Sequence, residues 1–271
     1  IENCPPEQIP RMNSALSRSK DQRTTILMDS GNYERFWKGE LSWTPDRFHE
    51  VVSKIEHHLC FCHDNQEPPN NTKAIAEDVV SSVLRDQKHA LGTVVPIIHG
   101  ATELIPTAMR MVAEQMFPML IAVPERALGN GIIERTQTIR QIRETLDSLE
   151  FYCPLHLLGT GNPLSIAIYA LAGADSFDGL EWCQTVVDHE TGRLFHFQQW
   201  DLFKDQTGWG KKDTLPYIQS VLMHNLEFYR AFMTNLREAL MNDTAEEFLR
   251  RYAPAKQTAL LMDVIKGEVT D

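Results

Sequence analysis

The sequence predicts an α/β protein, a closed (β/α)8 barrel of the TIM type followed by C-terminal helices. Short apolar runs alternate with amphipathic stretches over residues 25–178, which is typical of parallel strands joined by right-handed crossovers. A polar residue or a glycine follows each of six predicted strands: Asp29, Asp64, His99, Glu125, Gly159 and Asp178. In a barrel these strand ends form one rim, which carries the active site. The alternative, an open doubly wound sheet, would gather only the residues near its switch point.

The first half of the chain predicts four strands with helices between them. The strands are expected at Thr25–Met28, Leu59–Cys62, Val94–Ile98 and Met119–Val123. The first helix begins near Pro45 behind the N-cap Thr44, and the next is capped by Asn71 or Thr72. A third helix is expected from Leu104 to Met116.

The second half predicts helices over Ile132–Leu149 and Pro163–Leu171 and strands over Leu155–Leu158 and Ala174–Phe177. After Asp178 the pattern changes. A hairpin is expected over residues 185–203, a polar loop over 207–213, and helices over 215–240 and 245–252. We therefore expect a single domain over 1–271, with a lead-in over about 1–24 and a helical part over about 214–271.

Composition limits the possible partners and compartments. The 271 residues carry a formal net charge of −11, which argues against a broad basic surface for nucleic acid and leaves only a local basic patch. No apolar run reaches the length of a membrane span, and the first residues resemble no secretory signal. Five cysteines at irregular spacing favour a reduced, cytoplasmic protein.

Three carboxylates at strand ends are the strongest chemical signal. Asp29, Asp64 and Asp178 are suited to cleaving a glycosidic bond, for which one carboxylate attacks the anomeric carbon while another handles protons. Asp at a strand end also often caps a helix or makes an Asx-turn, so that alternative stays open. The turn that begins at Gly159 either cradles a phosphate or simply brings backbone close to a ligand. The cysteines lack zinc-site spacing, and neither a metal nor a cofactor is predicted.

Two segments resemble the queuine/guanine tRNA-ribosyltransferase family, the tRNA-guanine transglycosylases. The first is Asp-Ser-Gly-Asn-Tyr at 29–33. The second is Leu-Leu-Gly-Thr-Gly-Asn-Pro at 157–163, followed by Ala-Asp-Ser-Phe-Asp at 174–178. The resemblance runs from about Thr25 to Tyr252 and is strongest at these motifs. It implies a (β/α)8 barrel that exchanges guanine for a 7-deazaguanine base in a nucleic acid.

The resemblance also implies residue roles. Asp178 would be the nucleophile, and Asp29 the general acid and base. Tyr33 would stack on the base, Asp64 would read its amidine edge, and Leu158 with Gly159 would line the pocket. A carboxylate suits the amidine edge because it accepts from two N–H groups together.

Several positions depart from the family pattern. The base-reading Gln is replaced by His99, beside Gly100, and Glu125 stands where the family has glycine, so the edge facing the 7-substituent differs. The C-x-C-x-x-C zinc motif is absent although His224 matches the family His, so we expect no zinc subdomain. The run that begins at Phe177 is more similar to the branch that modifies DNA than to the tRNA enzymes.

Three hypotheses follow from the sequence. The first is a base-exchange glycosyltransferase acting on tRNA or DNA, with a homodimer or a protein partner possible in its assembly. The second is a non-catalytic or partner-dependent subunit of such an enzyme, which fits the lost zinc ligands. The third is a nucleosidase or a small-molecule glycosidase on the same barrel, which fits the acidic surface.

Overall fold

A computed structural model of the protein describes residues 6–21, 24–39, 42–212 and 214–268. The chain divides into two compact units, Ile1–Ala127 with Thr145–Pro154 and Leu128–Glu144 with Leu155–Asp271. Of the predicted lead-in, residues 1–5, 22 and 23 lie outside the described part of the chain, as does the last residue of the predicted polar loop, Asp213. That the whole chain forms one domain stays a prediction.

The first unit alternates helices with short strands. In chain order its main elements are α1 (Ile9–Asp21), β1 (Leu27–Met28), α2 (Asn32–Trp37), α3 (Pro45–Val52), β2 (Leu59–Phe61), α4 (Thr72–Gln87), β3 (Thr93–Val95), α5 (Ile105–Met116) and β4 (Ile121–Pro124). Short 3-10 helices cover Pro6–Gln8 and Glu125–Leu128. The sequence did not predict α1 or α2.

The strands of the first unit run parallel, so their C-terminal ends meet at one edge. β2 pairs with β1 on one side and β3 on the other, with Cys60 opposite both Met28 and Val94. A parallel bridge between Ile97 and Ala122 links the segment after β3 to β4. The last two residues of β2 and of β3 and all four residues of β4 are buried.

The second unit begins with α6 (Ile132–Asp147), whose last turn belongs to the first unit. It continues with β5 (Leu155–Leu158), α7 (Pro163–Leu171), β6 (Ser176–Phe177), α8 (Glu181–Gln184), β7 (Thr185–Val187), β8 (Leu194–His196), α9 (Tyr217–Met241), α10 (Ala245–Leu249) and α11 (Ala255–Lys266). Three 3-10 helices, Phe197–Leu202, Lys204–Gln206 and Gly208–Lys211, lie between β8 and α9. The sequence did not predict α11.

Two pairings organise the second unit. β5 and β6 are parallel, with His156 opposite Ser176. β7 and β8 form an antiparallel hairpin as predicted, but the prediction extended it to residue 203, whereas Phe197–Leu202 is a 3-10 helix. Val186 of the hairpin packs with Trp200 and Val221 of α9 in a buried apolar cluster. The predicted C-terminal helices are confirmed as α9 and α10.

The predicted barrel is wrong. The strands in the described part of the chain are two to four residues long and lie in sheets of two or three strands, and they close no eight-stranded barrel. β7 and β8 pair antiparallel, whereas such a barrel needs eight parallel strands. Periodicity predicts individual strands, but closure depends on strand number, tilt and register, which no local pattern specifies.

Helix caps were predicted well because they depend on short-range contacts. The side chain of Thr44 accepts from the Arg47 amide at the start of α3, and Asn71 accepts from the Ala74 amide at 2.9 Å at the start of α4. Across residues 6–21, 24–39, 42–212 and 214–268, no helix is both long and apolar enough to cross a bilayer.

Candidate active site

Asp64 lies at the C-terminal end of β2 in the first unit. The apolar run through Phe61 and Cys62 carries the chain into the interior, and the Asp64 side chain that follows is also buried. A buried carboxylate needs several hydrogen-bond donors, because losing water without replacement costs several kcal/mol in order of magnitude. The surroundings of Asp64 supply those donors.

Three side chains donate to Asp64. Asn32 of α2 donates from Nδ2 to the backbone carbonyl of Asp64 at 2.5 Å and to Oδ1 at 3.3 Å. Gln66 and His99 both donate to Oδ2, Gln66 from its amide nitrogen and His99 from Nε2. Since a carboxylate only accepts, the Nε2 of His99 carries a proton. The structure therefore joins two of the predicted residues, Asp64 and His99, and adds Asn32 and Gln66.

Gln66 connects this carboxylate to Tyr33. The Gln66 Oε1 accepts from Nη2 of Arg126 at 2.9 Å. The guanidinium of Arg126 lies 4.3 Å from the centre of the Tyr33 ring, within the range of a cation–π contact. Tyr33 itself is about half exposed, at 47%. We call Asp64, His99, Asn32, Gln66, Arg126 and Tyr33 the Asp64 cluster.

The other predicted residues of this unit also follow strands. Asp29 is exposed directly after β1, and Glu125 is half-buried at the start of the 3-10 helix after β4. Gly100 follows His99, and a Cβ there would come within 2.9 Å of Ile75 Cδ1. The glycine therefore lets the chain pass close over α4.

Asp178 lies in the second unit, one residue after β6. Its Oδ1 accepts from the backbone N–H of Gly159 at 2.6 Å. Its Oδ2 lies 3.6 Å from Nε2 of His156, and its side chain is 44% exposed. Asp178 thus combines a fixed orientation with access to solvent, which is what a nucleophilic carboxylate requires.

The turn after β5 holds the donor of that hydrogen bond in place. Gly159 has a φ of +80°, which favours glycine, and no atom lies within 4 Å of the position of a Cβ there. A larger residue at position 159 would therefore be disfavoured by the backbone angle and not by a steric clash. Two residues on, the carbonyl of Gly161 accepts from the Tyr229 hydroxyl of α9 at 2.6 Å. Leu158, the last residue of β5, is half-buried.

Sequence reasoning missed His156. Its ring is buried within β5, at 1% exposure, and Nδ1 lies 2.9 Å from Oγ of Ser176 on the paired strand. The hydrogen bond between Nδ1 and the Ser176 hydroxyl orients the ring so that Nε2 faces Asp178. A histidine inside the apolar run of β5 could have marked His156 as a candidate in the sequence. Its hydrogen-bond partners could not have been predicted, because they depend on strand register. We call Asp178, Gly159, His156 and Ser176 the Asp178 cluster.

The zinc site of the resembled family does not fit this chain. The Nε2 of His224 donates to the Val187 carbonyl at 2.7 Å, and Nδ1 lies 3.2 Å from the Thr207 hydroxyl, so protein groups engage both ring nitrogens. Burial lowers the pKa of His224 to about 4. Within the described ranges, no three His, Cys, Asp or Glu side chains are grouped to hold a metal ion.

The cysteines near Asp64 are buried thiols. Burial, with a smaller contribution from Asp86, raises the pKa of Cys60 to about 12. Burial likewise raises the pKa of Cys62 well above its usual range. Both side chains are therefore neutral thiols, poorly suited to bind a metal or attack a substrate.

The basic residues predicted to form a local patch are Lys204, Lys211, Lys212, Arg250 and Arg251, and neighbouring groups contact three of them. Lys204 lies 4.0 Å from Asp201, and Arg250 pairs with Glu246 at 2.6 Å. The Lys212 ammonium lies 4.0 Å from the centre of the Trp209 ring. Such contacts leave a modest local positive charge.

Comparison of the chain with protein-family models found no match, and comparison with curated proteins found no significant match.

Proposed function

We propose that the protein is a glycosyltransferase that exchanges guanine for a 7-deazaguanine base in tRNA or DNA. The observation that carries the proposal is the Asp178 carboxylate, which is accessible to solvent while Gly159 fixes one of its oxygens and His156 faces the other. A carboxylate held in this way is suited to form a covalent bond to an anomeric carbon.

The proposed reaction has two displacements. An oxygen of Asp178 attacks C1′ of the nucleotide, the C1′–N9 bond breaks, and the electron pair leaves with guanine N9, which takes a proton from Asp29. Asp29 then removes the N9 proton of the incoming 7-deazaguanine. That nitrogen attacks C1′, and the bond between C1′ and the Asp178 oxygen breaks. Two inversions retain the configuration, and the carboxylate is regenerated.

Base recognition is assigned to the Asp64 cluster. Asp64 accepts from the two N–H groups of the base edge, as its buried position among donors supports. The exposed ring of Tyr33 stacks on the base. The family resemblance also assigns His99, Gly100, Glu125, Leu158 and Gly159 to base binding. The proposal gives each cluster its own role, base recognition for the Asp64 cluster and bond formation for the Asp178 cluster. Substitutions in one cluster test the role of that cluster alone.

The proposal includes the partners and the compartment. The substrates are a nucleic acid and a free 7-deazaguanine base, the assembly is a homodimer or a complex with a second protein, and no membrane takes part. A cytoplasmic location is supported by the reduced thiols of Cys60, Cys62 and Cys183.

Exchange of radiolabelled guanine tests the proposed function, with bulk tRNA and duplex DNA as parallel substrates. We expect label to enter one polymer with the wild-type protein and not with Asp178→Asn. Absence of label in both polymers, from folded protein, would contradict a stand-alone transferase and favour a partner-dependent or non-catalytic subunit. Release of base from free nucleosides without exchange would favour a nucleosidase.

A further inference from the structure

Hydrogen-bond donors of the protein already occupy the carboxylate of Asp64. Asn32 donates to Oδ1, while Gln66 and His99 donate to Oδ2. The Gln66 amide nitrogen also lies 3.5 Å from Nε2 of His99, so the two donors crowd the same oxygen. A base that donates N–H groups to this carboxylate must replace at least one of them, since a carboxylate has a limited number of lone pairs.

Gln66 is the donor best placed to give way. It is half-buried, whereas Asn32 and His99 are buried. Asn32 is also bonded to the backbone of Asp64 at 2.5 Å, and His99 follows the buried bridge at Ile97. The Gln66 carboxamide presents to Oδ2 the same kind of N–H group that the amidine edge of guanine presents.

A second contact holds Gln66 against Asp64. Arg126 donates to its Oε1 at 2.9 Å and at the same time covers one face of the Tyr33 ring at 4.3 Å. The Arg126 side chain is exposed, so it can swing into solvent without leaving a buried charge. Moving Gln66 and Arg126 together would free an acceptor oxygen of Asp64 and a face of Tyr33.

We propose that the Gln66 side chain competes with the base for the Asp64 carboxylate, and that the hydrogen bond from Arg126 holds Gln66 in place. This inference rests on the proposed function, in which Asp64 reads the base. With no base bound, Gln66 supplies one of the three side-chain donors of the buried carboxylate, beside Asn32 and His99. When a guanine-type base binds, its N–H groups take the place of the Gln66 amide, and Arg126 leaves Tyr33. Gln66 therefore lowers the affinity for the base while it keeps the empty site intact.

Equilibrium dialysis with radiolabelled guanine tests this inference on the full chain. Gln66→Ala removes the competitor and is expected to bind guanine about tenfold more tightly than wild type, as expected for loss of a hydrogen bond to a charged group. Arg126→Ala keeps the contacts of Asp64 but removes the hydrogen bond that holds Gln66 in place. It is therefore expected to give a smaller gain in affinity for guanine, about threefold. Gln115→Ala, at an exposed position of α5 in the same unit, is the matched control and is expected to bind as wild type does.

A double variant shows whether the effect passes through the carboxylate. If Gln66 competes with the base at Asp64, adding Gln66→Ala to Asp64→Asn is expected to give no gain in affinity. The carboxylate for which Gln66 and the base compete is already absent from Asp64→Asn. Circular dichroism checks that each variant is folded, and Arg126→Ala gives an independent result if Gln66→Ala does not fold.

The outcomes separate the inference from the proposed function. Guanine binding by wild type with equal or weaker binding by Gln66→Ala and Arg126→Ala would overturn the competitor role and leave the base-binding role of Asp64 in place. Absence of guanine binding by wild type and by every variant would overturn both.

Discussion

Asp64 and Asp178 both follow a parallel strand, yet their surroundings differ. Asp64 is buried and receives hydrogen bonds from three side chains. Asp178 is 44% exposed and is fixed by one backbone N–H, with a buried histidine facing its second oxygen. A buried carboxylate that already accepts hydrogen bonds can recognise an N–H donor that displaces one of its partners, and an accessible carboxylate with few donors is suited to attack a ligand. Under the proposed function, the Asp64 cluster recognises the base and the Asp178 cluster forms the covalent bond.

The largest effect is expected from Asp178→Asn. The variant keeps the size of the side chain but removes the nucleophilic oxygen, so the exchange rate should fall on the order of 10⁴-fold. The measurement is guanine exchange into the polymer that wild type labels. Asp201→Asn, an exposed carboxylate of the same unit, is the control and should retain the wild-type rate. A rate for Asp178→Asn within tenfold of wild type would remove Asp178 from the chemistry.

Asp64→Asn should act on binding. The amide turns one acceptor oxygen into a donor that faces the donors Gln66 and His99, so KM for the free base should rise about 100-fold while kcat changes much less. Steady-state exchange kinetics with varied base concentration separate the two constants. Asp46→Asn, an exposed position of α3, should leave both unchanged. A loss confined to kcat would place Asp64 in the chemical step. It would contradict the assignment of base recognition to Asp64.

His156→Gln tests whether the buried imidazole positions the nucleophile. Because His156 acts through Asp178, kcat should fall about tenfold and KM for the base should stay the same. Ser176→Ala keeps the imidazole but removes its hydroxyl partner, so a smaller fall in kcat is expected. A change in KM with unchanged kcat, in folded variants, would contradict a positioning role.

Gly159→Ala should give the smallest effect, on stability. A left-handed φ of +80° costs a non-glycine residue about 1 kcal/mol, so the free energy of unfolding should fall by that amount. Gly208→Ala is the matched control, since it too has open space around the Cβ position but no left-handed φ. Urea unfolding followed by circular dichroism measures both. An equal change in the two variants would show that the backbone angle at Gly159 carries no constraint.

The sequence predicts the elements of this protein better than their assembly. β5 was predicted with its observed bounds, the cap Thr44 was correct, and Asn71 is the one of the two predicted caps, Asn71 or Thr72, that the structure has. Both features depend on residues within a few positions. α2 was missed, since it has only six residues and begins directly after the turn at Gly31. The barrel was wrong because strand closure is a property of the whole sheet.

The same contrast between local features and long-range contacts applies to the candidate site residues. Asp64 and Asp178 could be found from their places after apolar strands. Their partners could not, because Arg126 reaches Gln66 across 60 positions of sequence and His156 meets Ser176 across 20. Contacts of this kind depend on strand register and loop path, which periodicity does not encode.

Trapping the covalent intermediate tests the central claim most directly. The protein is incubated with the polymer that it labels, denatured during turnover, digested with nuclease and protease, and analysed by mass spectrometry. We predict a nucleotide joined through C1′ to the peptide that contains Asp178, absent from Asp178→Asn. Exchange without any adduct, or an adduct on another residue, would contradict the assignment of Asp178 as the nucleophile.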